Sequence, residues 1–306
     1  MTGTTAPGST VRGDASARAD ERAVGSLPAY FSHHKCATMY ATGILSRICR
    51  ENGLRFRSFD DDGQFGGDLR AHLEHRSVDF LAYINARWQQ VRRLEGVSGV
   101  HVIRDPRDIL VSAYFSHLRS HETQSWPDLV EHRRRLREVD KREGLFLQID
   151  FISDVFEALR TWDYGADGML ELTFEELTVR PYRTFLRIFE HLGMLDERDL
   201  GLRRQIVYLA RGLWNQAVTE AGLSRRLRLK QRTIPGERLL AVVYQNRFGK
   251  KTGGRARGEE DRASHYRKGV SGDWREHLET AHVEALRERF PGLLRVTGYA
   301  RTGPDP

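Results

Sequence analysis

The chain has 306 residues, 39% of them hydrophobic and 30% charged, with a formal net charge of +7 and a sequence pI near 9.6. That length and apolar content suffice for one large core in a single domain, and no run of about 18 apolar residues offers a transmembrane helix. The positive charge is carried mostly by arginine, whose planar fork suits phosphate and sulfate oxyanions, so an anionic ligand is expected.

Residues 1–25 hold Gly, Ser, Thr, Ala and Arg with almost no large apolar side chain and are expected to form a disordered leader. They lack the apolar h-region of a signal peptide. Cys36 and Cys49 are expected on one helix, about 20 Å apart at about 1.5 Å per residue and too far to bridge. This cysteine usage fits a reducing, cytoplasmic compartment.

The first unit is a strand over Leu27–Phe31, a glycine-poor turn and a helix patterned by Met39, Ile44, Leu45 and Ile48. A second strand is expected over Leu54–Phe59. Leu69–Leu94 then reads as helical, with Leu73, Phe80, Leu81, Ile84, Trp88 and Val91 on one side. Val100–Ile103 is a buried parallel-strand run leading into Arg104-Asp105-Pro106-Arg107-Asp108 and a helix from Ile109. Helices over Leu129–Leu136 and Leu145–Leu159, a strand over Met169–Phe174 and a helix over Pro181–Leu192 follow. From Ser224 to Arg262 the composition turns basic with few core residues, which suggests a mobile segment or a lid that orders on binding. A helix over Trp274–Phe290 closes the fold. Strands alternating with helices predict an α/β fold: a single domain over residues 26–298 with a mostly parallel, open sheet flanked by helices, and a tail at 299–306.

Three segments carry chemistry. Ser32-His33-His34-Lys35-Cys36-Ala37-Thr38-Met39-Tyr40 lies where a strand hands over to a helix. Successive amides there, with the helix N-terminus, make an anion pocket with Lys35 at its mouth. The Walker pattern is absent, since the lysine precedes the turn residues. Arg104 ends a strand at the carboxyl edge of the sheet, and Ser112 falls on the second turn of the next helix, where both can share an oxyanion. Asp105 and Asp108 can cap that helix and pair with Arg107. Arg267-Lys268-Gly269, followed by Gly272-Asp273-Trp274, combines a basic pair with a glycine that allows close backbone approach.

Taken together and in this order, these segments resemble the PAPS-dependent sulfotransferase family (P-loop-like sulfotransferase fold), PAPS being 3′-phosphoadenosine 5′-phosphosulfate. RKGVSGDW matches the family's last pattern throughout, RDPRDILVSAYFSH matches the second closely, and LELTFEELTVRP is similar to a further stretch. The resemblance implies a sulfotransferase that moves a sulfuryl group to a hydroxyl or amine and leaves adenosine 3′,5′-bisphosphate (PAP). It implies that Lys35 is the catalytic lysine and that Thr38 and the amides of Ala37, Thr38, Met39 and Tyr40 bind the 5′-phosphate, with the Tyr40 ring on adenine. It assigns the 3′-phosphate to Arg104, Ser112, Arg267, Lys268 and Gly269, and puts Phe174 where the family often has a tyrosine near the base. Ala37 and Met39 depart from a common glycine and threonine.

By analogy with phosphoryl transfer, such a site needs an in-line nucleophile, a good leaving group and positive charge where negative charge grows, and no metal. The general base is open. The family's histidine has no counterpart at the matching place, which leaves His75 first, then His72 and the Asp60-Asp61-Asp62 run, with His33 and His34 better explained by strand-end packing. The acceptor is expected to be a small molecule, bound by Phe65–Gln90, Tyr114–Trp126 and residues 201–262, with neither a nucleic acid nor a membrane as partner. Two other readings are an ATP-dependent small-molecule kinase, which would need acidic magnesium ligands where Arg104 stands, and a polyanion-binding protein using the basic 224–262 segment. The oligomeric state is left open.

Overall fold

The computed structural model describes residues 26–124, 126–196, 201–261, 264 and 266–300. The expected leader at 1–25 and tail residues 301–306 lie outside the described residues. Five strands, β1 (Leu27–Ser32), β2 (Phe56–Phe59), β3 (Phe80–Ile84), β4 (Val97–Ile103) and β5 (Met169–Thr173), form one sheet in the order β2-β3-β1-β4-β5, parallel throughout. β1 lies at the centre, with Tyr30 opposite Ala82 of β3 on one side and Val100 of β4 on the other. Its successive side chains serve two cores, because side chains alternate across a strand. Tyr30 joins Phe80, Ala82, Ile84, Val100 and Val102 on one face, while Ala29 and Phe31 join Leu81, Tyr83 and Trp162 on the other.

This two-sided burial corrects the helix expected over Leu69–Leu94. The stretch is a short helix Leu69–Glu74, strand β3 and a helical turn Trp88–Val91. All five residues of β3 are buried between neighbouring strands. A continuous apolar run of that length cannot be told from a buried helix by periodicity alone.

The helix after β1 spans Thr38–Glu51 and buries Ala41, Ile44, Leu45, Ile48 and Cys49. Met39, expected on its apolar stripe, is instead 59% exposed, and Cys36 lies in the turn before the helix. Both cysteines are free and buried. The helix expected over Leu145–Leu159 is broken at Ile152 into Lys141–Phe151 and Ser153–Arg160. The closing helix begins at Thr280, after a single turn Asp273–Glu276 that buries Trp274.

The basic 224–262 segment is also not core-poor. Ile234 is fully buried, and the helix Gly236–Gln245 buries Leu239, Val242 and Val243 against Pro181–His191 and Thr38–Glu51. Its apolar residues are few but share one face, which composition averaged over the segment hides. A 19-residue helix, Leu202–Glu220, packs on Thr38–Glu51. No helix among the described residues is long and apolar enough to cross a membrane.

A polar group sits inside the sheet. His101 of β4 meets His33 at 2.9 Å and the Glu171 carboxylate at 2.6 Å, Trp162 donates to Glu171 at 2.9 Å, and the His101 and Trp162 rings stack at 3.8 Å. Burial, reinforced by Asp163 and opposed by the Trp162 hydrogen bond, pushes Glu171 up to about 7. The native state therefore binds more protons here than the unfolded chain, so its stability falls as pH rises from the unfolded carboxyl range through about 7. The melting-temperature advantage of wild type over Glu171→Gln is expected to shrink by roughly 5 °C across that window. A constant difference would remove Glu171 as the titrating group.

Candidate functional site

Loops after β1 and β4 meet at the carboxyl edge of the sheet, the usual ligand side of open α/β folds. The β1 loop is bent by two non-glycine residues in the left-handed region, Lys35 (φ 66°) and Ala37 (φ 59°). Such conformations persist only where the surroundings enforce them. Here the His34 amide donates to Asn85 Oδ1 at 2.8 Å, and Thr38 Oγ1 donates to the His33 carbonyl while lying 3.1 Å from Ser32 Oγ. The helix that follows starts without a side-chain cap and without an acid in its first turn, leaving N-terminal amides for a ligand. The Tyr40 amide already donates to the Ala37 carbonyl.

Arg104 leaves β4 as expected and is only 6% exposed. It donates to the carbonyls of Lys35 and Val270, each at 3.1 Å, and lies over the Phe174 ring at 4.1 Å. Its Nε is buried without a hydrogen-bond partner among the described residues. Buried polar atoms rarely lack partners in a finished site.

Asp105 and Arg107 form the buried pair foreseen from the sequence, with the Asp105 carboxylate also accepting from the Arg107 amide. Asp108 does not pair with Arg107. It accepts from the amides of Gly272 at 2.7 Å and Trp274 at 3.0 Å, so the helix Pro106–Phe115 anchors the RKGVSGDW segment. Within that segment Asp273 holds Arg267 and Lys268. Gly269 has φ +68°, and a Cβ there would come within 2.7 Å of the Phe248 ring.

All these elements face one cavity of about 1830 Å³, lined among others by Lys35, Ala37, Thr38, Met39 and Tyr40, by Arg104 and Ser112, by Phe174, and by Arg267, Lys268 and Gly269. Burial first, then the charges of Arg104 and Arg267, bring the Lys35 amine down to about 7. Lys35 has no acidic partner among the described residues. The Tyr40 ring stands edge-on to Phe185 at 5.8 Å.

The sequence-based choices for a base fare unevenly. His75 is the exposed C-cap of helix Leu69–Glu74, and His72 packs on Phe59 at 5.2 Å; neither lines the cavity. β3 is the physical reason, because it replaces the expected long helix and turns that helix end outward. Asp60, Asp61 and Asp62 do line it, with Asp61 accepting from the Gly63 amide and Asp62 from the Tyr83 hydroxyl. His33 is buried just past the end of β1. His34 lines the cavity and meets His117 and His121, which the sequence places only within the acceptor-binding stretch Tyr114–Trp126 and does not single out. Their H-x-x-x-H spacing just after Ser112 is the signal that could have found them.

Fold and cavity together define a single-domain α/β protein with one large cleft lined by arginines and lysines on the side of Lys35, Arg104 and Arg267 and by Asp60, Asp61 and Asp62 elsewhere. No protein-family model and no curated protein matches the chain. Among solved structures, it is similar to a mouse sulfotransferase, SULT7A1, complexed with PAP, at 14% identity and TM-score 0.45 over 94% of this chain and 96% of that one. It is also similar to retinol dehydratase in complex with androsterone and the inactive cofactor PAP, at 14% identity and TM-score 0.46 over 88% and 81%. The functional reading therefore rests on the residues of the site itself.

Proposed function

We propose that the chain is a PAPS-dependent sulfotransferase acting on a hydroxyl or amine of a small-molecule acceptor. The observation that carries this reading is the convergence of Lys35, Arg104, Ser112, Arg267 and Gly269, distant in sequence, on one cavity where the buried Arg104 Nε has no partner. That orphan donor fits an oxyanion such as a 3′-phosphate, because an unpaired buried guanidinium nitrogen costs roughly 1–3 kcal/mol. The cavity exceeds the roughly 300–1,000 Å³ of a single small-ligand pocket, leaving room for a nucleotide and an acceptor together.

In this reading Lys35, Thr38 and the first free amides of helix Thr38–Glu51 hold the 5′-phosphosulfate. Arg104, Ser112, Arg267, Lys268 and Gly269 hold the 3′-phosphate, with Tyr40 and Phe174 toward the adenine. The cosubstrate supplies the sulfuryl group, which bonds to the acceptor atom as its bond to the 5′-phosphate oxygen breaks and the acceptor proton is lost. Lys35 offsets the charge that grows on that departing oxygen. Arg104 also fixes the Lys35 carbonyl, so the residue that grips one phosphate orients the loop that grips the other.

Calorimetric titration with PAP, ATP and AMP tests the reading. PAP is expected to bind wild type selectively and the Arg104→Ala variant about 10- to 100-fold more weakly, since hydrogen bonds to charged groups contribute about 1.5–3 kcal/mol. Equal binding of ATP, or no binding of any of the three, would overturn it.

A further inference from the structure

Three histidines meet in the wall of the cavity near Lys35. The His34 and His117 Nε2 atoms are 3.0 Å apart, and one ligand-capable nitrogen from each of His34, His117 and His121 lies within 4.8 Å of the other two. We propose that these three residues bind a divalent cation of the zinc type, leaving a further coordination position open toward the cavity. The inference goes beyond the sulfotransferase reading and departs from the expectation that no metal is needed.

The donor set fits. Zinc takes imidazole nitrogens at about 2.0–2.1 Å in a tetrahedron, which spaces neighbouring donors about 3.3 Å apart, and sites with three protein ligands and one open position are the catalytic type. The His34–His117 separation is already close to that spacing. Closing His121 onto the pair is a side-chain adjustment. His34 and His121 line the cavity and His117 lies behind them, so the open position faces the cavity.

The surroundings hold these rings as a second layer holds metal ligands. The Gln148 side chain meets His117 Nδ1 at 3.0–3.2 Å and His132 at 2.9 Å, fixing the nitrogen that faces away from His34. His121 Nδ1 is buried without a hydrogen-bond partner among the described residues. The backbone is equally specific: Ser116–Ser120 is a π-type turn, closed by the His121 amide donating to the Ser116 carbonyl at 2.8 Å. Arg133 donates to the carbonyls of both His117 and His121 at 2.5 Å. Turns of this kind recur at functional sites. Trp126 stands edge-on to all three rings, at 5.2–6.1 Å.

The opposing factor is Lys35 itself, whose positive charge weakens any neighbouring cation. A hydroxyl presented to the open position would lose its proton to water more readily.

The test uses tag-free, chelator-treated full-length protein, titrated with zinc chloride by calorimetry and with cobalt(II) by visible absorption, in the absence of nucleotide. One equivalent is expected, with a d–d spectrum of low coordination number. Binding should weaken about 100-fold or more in His34→Ala and in His121→Ala, since losing even an outer-shell partner costs 10- to 100-fold. His72→Ala should bind like wild type. Neither His34 nor His121 is fully buried, and circular dichroism checks that the variants fold. Should either fail to, the wild-type cobalt spectrum alone decides between an imidazole site and none. Absence of saturable binding, or equal binding by wild type and both variants, overturns the proposal. Because the readout contains no nucleotide, its failure is separable from a failure of PAP to bind.

Discussion

Lys35→Ala is expected to lower sulfuryl transfer from PAPS to a screened hydroxyl or amine acceptor about 10²- to 10³-fold, the usual effect of removing one preorganised charge from a reacting centre. PAP affinity should fall far less, because Arg104 and the RKGVSGDW segment stay in place. The physical ground is that Lys35 has no acidic partner among the described residues, and its loop is held by Asn85 and by the strand-end arginine. Since its amine titrates near 7 in the free protein, kcat/KM for PAPS should decline as pH rises through that value. The decline should vanish in the residual activity of the variant. A variant within about threefold of wild type would remove Lys35 from the chemistry while leaving the nucleotide site intact.

The second large effect is on stability. Arg107 is 1% exposed, grips Asp105 at 2.8 and 2.9 Å, donates to the Tyr299 carbonyl at 3.0 Å and lies over the Trp274 ring at 3.9 Å. Removing one partner of a buried pair leaves the other charge uncompensated and typically costs about 3–5 kcal/mol. Arg107→Ala is therefore expected to lower the melting temperature by about 10 °C. The double variant Asp105→Asn with Arg107→Met should recover much of that loss, because asparagine keeps the helix cap and neither charge of the pair is left buried alone. A double variant as unstable as the single one would show that packing, and not the unpaired charge, sets the cost.

Legibility in the sequence followed the range of the interactions. Arg104, Ser112 and the Lys35 loop are placed by local rules: a strand end, a helix turn, a strand-to-helix bend. Reading residue by residue therefore brings them near one another, and the structure gathers them on one cavity. Phe80–Ile84 reads as helix in the sequence because its five apolar residues fit a helix stripe as well as a strand buried on both faces, and only its pairing with β1 and β2 decides. The spacing of His117 and His121 is visible in the sequence, but their meeting with His34 is not, for a related reason. His34 and His117 come from the ends of different units, and nothing in the spacing of either announces the other.

The two hydrogen bonds from Gly272 and Trp274 to Asp108, and the one from Arg104 to the Val270 carbonyl, join parts of the chain more than 160 positions apart. During synthesis the sheet and the β1 loop emerge long before the segment that Asp108 fastens. A nascent chain stopped short of that segment would carry the arginine and the loop without their cover. On the proposed reading such a chain would lack Arg267, Lys268 and Gly269, so PAP retention is expected to be weaker in chains truncated before that segment than in the full chain.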